Sequence, residues 1–172
     1  MRNFLLLSFV FVLIFSCKTE KKDETNTIQE TTVYYLIRHA EKDRSTTGQD
    51  PILTEKGLER AANWTKIFTP IKFDHVYSTD YKRTQQTALP TAADKNLEIR
   101  SYNPDKLYDE NFKRNTNGKT VLIVGHSDTT PALVNTILGE LKYDQLDDKD
   151  NGKLFIVTLN KDDISVTIED HN

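Results

Sequence analysis

Two stretches of the chain share one form, an apolar run that stops at a histidine. Val33-Tyr34-Tyr35-Leu36-Ile37 ends in Arg38-His39, and Val121-Leu122-Ile123-Val124 ends in Gly125-His126. Short continuous apolar runs bounded by polar residues fit strands buried on both faces of a parallel sheet. Between them the period changes. Leu58, Ala61, Ala62, Thr65 and Phe68 recur at helical spacing behind Thr54, a good N-cap, and stop at Pro70. Phe73 to Ser78 predicts a second strand, and Thr79 or Asp80 can cap a helix through Arg83 to Ala88 that breaks at Pro90. Leu97 to Arg100 alternates like an edge strand, and Asp105 to Arg114 predicts a helix. Thr129 or Thr130 caps another, with Leu133, Val134, Ile137 and Leu138 as its apolar face and Gly139 as its end. After an acidic loop from Tyr143 to Gly152, Leu154 to Leu159 and Ile164 to Ile168 predict a closing hairpin. Strands alternating with helices predict an α/β domain, a three-layer α/β/α sandwich around a mostly parallel sheet.

Composition adds two limits. The chain has 172 residues, enough for one domain with a sizeable core and short for two. A formal net charge of −3 and the lack of a basic block argue against nucleic acid as a partner. Nothing in the sequence calls for an obligate protein partner.

The amino end reads differently. Arg2 precedes an apolar stretch from Phe4 to Phe15, too short to span a bilayer and fitting a secretory signal over residues 1–16. Ile14-Phe15-Ser16-Cys17 resembles a bacterial lipoprotein signal, which implies acylation of Cys17, the one cysteine in the chain. Residues 17–32 are polar and aperiodic, as a disordered tether would be, leaving residues 33–172 as the domain. The expectation is a protein of the cell envelope, held to a membrane by a lipid anchor.

Arg38-His39 and Gly125-His126 both fall at the carboxyl ends of core strands, where open α/β sheets bind ligands. Together with Leu53-Thr54-Glu55-Lys56-Gly57, the Tyr77 to Asp80 turn and Arg83 to Ala88, they form ordered blocks. These blocks resemble the histidine phosphatase superfamily, the phosphoglycerate mutase-like fold, with Ala40 in place of the usual glycine. The resemblance implies a phosphatase of small phosphate monoesters working through a phosphohistidine intermediate. It makes His39 the nucleophile and His126 its partner, expected as an imidazolium. Arg38, Arg83 and Ser127 would bind the phosphoryl oxygens. Planar guanidinium forks suit a phosphate better than ammonium groups do. Leu107-Tyr108-Asp109 resembles the block that carries the general acid, with Glu110 and Asp128 as other carboxylates in reach of that role. No cofactor and no metal is implied, and His75 and His171 have no assigned part. The competing reading is an envelope lipoprotein that binds phosphorylated ligands without turning them over.

Overall fold

The structure, a computed structural model, describes residues 31–45, 47–106, 108–161 and 163–172. The signal segment, Cys17, nearly all of the tether and Leu107 lie outside the described residues. Six strands form one sheet: β1 (Thr32–Arg38), β2 (His75–Ser78), β3 (Ile99–Ser101), β4 (Thr120–Gly125), β5 (Lys153–Asn160) and β6 (Asp163–Asp170). Their order is β3-β2-β4-β1-β5-β6. The four strands from β3 to β1 run parallel, while β5 and β6 are antiparallel. The sheet is thus mixed, because β5 enters antiparallel to β1 and β6 turns back on β5 as a hairpin.

Four helices cover it: α1 (Glu55–Ile67), α2 (Lys82–Asp94), α3 (Glu110–Thr116) and α4 (Thr129–Leu138). Side-chain alternation on the central strands decides the layers. Tyr34 and Leu36 of β1, with Val121 and Ile123 of β4, face Phe112 of α3 and Leu133, Val134 and Ile137 of α4. Ile37, Leu122 and Val124 face the other way, onto Trp64 and Phe68 of α1 and Ala88 and Ala92 of α2. Burying each such aliphatic side chain contributes about 1.5–3 kcal/mol. These two faces make β1 and β4 continuous apolar runs and give the α/β/α sandwich that the sequence predicts.

Helix ends follow their caps with some shifts. Thr54 caps α1 through Gly57 N at 3.1 Å, as expected. Asp128, rather than a threonine, caps α4, and Gly139 closes it at φ 73°, a left-handed conformation that favours glycine. The expected break at Pro90 does not occur, for α2 runs through it to Asp94. Proline in a helix costs about 3 kcal/mol, which the burial of Thr84, Thr87, Ala88, Thr91 and Ala92 along the same face offsets. The expected helix over 105–114 divides into a 3-10 turn at Pro104–Lys106 and α3, because the Asp109 side chain caps the latter.

Candidate active site

In-register parallel pairing sets the ends of β1 and β4 flush. Arg38 lies opposite Gly125, and His39 N donates to Gly125 O at 2.9 Å. The two histidines that follow these strands therefore emerge side by side, ring centroids 5.6 Å apart. Arg83 comes from the first turn of α2, and Thr79 from the turn that joins β2 to it. The four side chains Arg38, His39, Arg83 and His126 line one cavity of about 390 Å³.

Each imidazole has a defined tautomer. His39 Nδ1 lies 2.7 Å from Ala40 O. A carbonyl oxygen can only accept, so Nδ1 carries the proton and Nε2 is left with its lone pair. His126 is the reverse case. Its Nδ1 faces the Arg83 NH2 group at 3.4 Å, and a guanidinium can only donate. His126 Nε2 therefore carries the proton and donates to Thr79 Oγ1 at 2.9 Å. Thr79 Oγ1 passes its own proton to Thr84 Oγ1, whose hydroxyl is directed at backbone carbonyls.

Both rings are neutral in the free site. Burial first, then Arg38, His126 and Arg83, push the His39 imidazole down to about 3 against the pull of the Ala40 carbonyl. Burial and Arg83 bring His126 down to about 4, with Asp128 opposing them. These influences oppose the imidazolium expected at His126, since a proton on Nδ1 would face the Arg83 cation.

The two guanidinium groups are short of partners. Arg38 is 2% exposed, yet its Nε has no hydrogen-bond acceptor among the described residues. Its NH1 donates to the carbonyls of Asp147 and Asp150 at 2.7 and 3.2 Å, and its NH2 to Asp148 Oδ1 at 2.9 Å. Arg83 lies over the Tyr81 ring at 4.3 Å. Its Nε and NH1 are buried without a hydrogen bond, Asp50 standing at 3.6 Å. Buried donors left unpaired are costly, each by about 1–3 kcal/mol or more when charged.

Ser127 lines the cavity, and its carbonyl accepts from Leu146 N at 2.9 Å. Asp109 does not. Its Oδ1 accepts from Phe112 N at 2.8 Å as the cap of α3, and Glu110 pairs with Lys113 at 2.9 Å. The capping bond holds the Asp109 carboxylate to the helix, outside the lining of the cavity. Of the three carboxylates considered from the sequence, Asp128 is the one that reaches the cavity, and Asp105 joins it from the 3-10 turn. Asp105 and the acidic loop that holds Arg38 went unrecognised in sequence. Loop composition carries no sign of a partner more than a hundred residues away. His75 stands against Tyr77, and His171 pairs with Glu169 beside Trp64, both apart from this cavity. Among the described residues, no three His, Cys, Asp or Glu side chains gather as a metal-binding group.

A mixed sheet with helices on both faces gives the chain the phosphoglycerate mutase-like fold. Residues 34–103 match the histidine phosphatase superfamily (branch 1). Phosphoserine phosphatase 1 of Hydrogenobacter thermophilus is 38% identical over 69 residues, 37% of this chain and 33% of the relative. The match thus spans about a third of that relative's length. Among solved structures, Bacillus stearothermophilus YhfR superposes with a TM-score of 0.65 at 18% identity, covering 82% of this chain and 98% of that one. A phosphoserine phosphatase variant from Entamoeba histolytica, in complex with phosphoserine, gives 0.61 at 16% identity, covering 79% and 95%.

NMR of the ring nitrogens in the unliganded protein will show Nδ1–H at His39 and Nε2–H at His126. Neither ring will take a proton between pH 8 and pH 5; a midpoint near the ordinary 6.5 for either would contradict the burial argument. Both folded-state values lie below the unfolded one. The unfolded chain therefore binds these protons first, and their contribution to stability is lost as pH falls from about 6.5 toward 4 for His126 and toward 3 for His39.

Proposed function

We propose that this protein is a phosphatase that hydrolyses small phosphate monoesters through a phosphohistidine at His39, without a metal. The reading rests above all on one observation: the guanidinium side chains of Arg38 and Arg83 line the same cavity as His39, whose ring is held in its neutral form. Guanidinium groups supply the positive field that a metal supplies elsewhere.

In the first step the His39 Nε2 lone pair forms a bond to phosphorus as the ester P–O bond breaks. The leaving alkoxide takes a proton from a carboxyl group, for which Asp128 is the proposed donor. In the second step water attacks phosphorus, the same carboxylate takes its proton, and the P–N bond breaks to return the lone pair to His39. Alcohol and inorganic phosphate are the products, and one proton has gone out and back. A phosphate dianion beside His126 also favours its protonation, so the ring can become a cation once substrate is bound.

His39→Ala should lower hydrolysis of para-nitrophenyl phosphate by at least about a thousandfold and abolish an acid-labile, base-stable phosphoenzyme. Trapping of that phosphoenzyme separates the proposal from a protein that binds phosphate esters without turnover. An undiminished rate in the variant would remove the nucleophile.

Asp128→Asn should slow an alkyl phosphate by about a hundredfold and the aryl phosphate far less, because a good leaving group needs no proton. Asp109→Asn should leave that ratio unchanged. A selective loss in the Asp109 variant instead would move the acid to α3.

The proposed location is the cell envelope, with the domain tethered by lipid on Cys17. Labelling of growing cells with radioactive palmitate should mark the wild-type protein and not Cys17→Ser; equal labelling of the two would refute the anchor.

A further inference from the structure

The cavity at the two histidines does not end there. A second hollow of about 560 Å³ shares Arg38, His39, Lys42 and Asp148 with it, so an occupant of one abuts the other. Arg44, Lys56 and Lys149 add to its wall, with Glu41 and Asp147. Counted over the lining, cationic side chains exceed carboxylates by two, in a chain whose net charge is −3. Such a local excess in a concave site focuses an attractive field for anions.

Several of these cations are already answered. Glu41 takes Lys56 at 3.2 Å and Arg60 at 3.0 Å. Asp148 places Oδ1 on Arg38 and Oδ2 on Arg44, at 2.9 and 2.6 Å. Lys42 is different. No carboxylate lies within ion-pair distance of its ammonium among the described residues, although the side chain is half-buried. Burial, then Arg44, Arg83 and Arg38, hold it below the usual lysine value, against Asp148. Its backbone is fixed as well, by a bridge to Leu53 and by the neighbouring Asp43 N to Ile52 O bond at 2.8 Å. Lys42 is a positioned cation between two cavities, facing other cations.

We propose that the second hollow seats a further anionic group of the substrate, read by Lys42, so that the preferred substrates are compact phosphate esters carrying an additional oxyanion. The inference rests on the phosphatase reading for its first anion. The second group is a carboxylate or another phosphate, both of which offer acceptors to an ammonium. Its arrival relieves the repulsion that Lys42 shares with three guanidinium groups, and this gain is absent for an ester with a neutral alcohol.

Inert ligands test this without turnover. Titration calorimetry of the full chain at low salt would compare methylphosphonate, phosphonoacetate and methylenediphosphonate. At least one of the two-anion ligands should bind about tenfold tighter than methylphosphonate, the size of one charge-assisted hydrogen bond. In Lys42→Met that advantage should shrink to about twofold. The two ligands distinguish carboxylate from phosphate as the second group. Equal affinities for all three, or no binding of any, would overturn the proposal, as would a full advantage retained in Lys42→Met. Failure here leaves the His39 chemistry standing, whereas loss of hydrolysis with selective binding retained would remove the catalytic reading alone.

Discussion

The burial of Arg38 is the constraint from which the rest follows. A guanidinium cannot shed its proton, so at 2% exposure its charge must be met by partners. Two carbonyls and one carboxylate from residues 147–150 meet part of it. The loop is thus bound to the end of β1, and Asn151 Nδ2 adds a bond to His39 O at 2.8 Å. Nε remains without an acceptor, and a neighbouring Arg83 repeats the shortage. A fold that buries these donors without hydrogen-bond partners carries a cost. Under the proposed function, the two buried guanidinium charges would favour an anion beside them, so its binding would draw on the core as well as on the surface.

The same strand ends explain why so much was legible in the sequence. Leu36, Ile37, Ile123 and Val124 each face a helical layer, so β1 and β4 had to be apolar throughout, and their ends had to be the first polar residues. A change from apolar to polar at a buried strand is a strong local signal, and it located both histidines. Thr54 and Gly139 were equally readable, because a cap is decided within a few residues. Pro90 was misjudged for the opposite reason, since the packing of α2 on the sheet outweighs a local preference.

What the sequence did not disclose depends on contacts made far along the chain. Residues 143–152 had the composition of a solvated loop, and nothing local marks Asp148 as the partner of Arg38 and Arg44. Asp109 met a sequence pattern for the acid, but a carboxylate just ahead of a helix is also the best cap available. The cap prevailed. Lys42 drew no notice among neighbouring charges; it becomes distinctive only once its neighbours in space prove to be Arg38, Arg44 and Arg83.

The tautomers tie these strands of argument together. The Ala40 carbonyl turns the His39 lone pair outward, and Arg83 turns the proton of His126 inward to Thr79. With both rings neutral, the positive charge of the site resides on guanidinium and ammonium groups that cannot lose it at neutral pH. Charge for holding an anion and basicity for attacking it therefore sit on different residues. His39 keeps its nucleophilic lone pair because its neighbours, not it, carry the protons. An incoming dianion changes that balance at His126 first, whose Nδ1 faces Arg83, while the Nδ1–H of His39 remains committed to Ala40. In the proposed reaction, binding would thus prepare one ring to support negative charge and leave the other free to react.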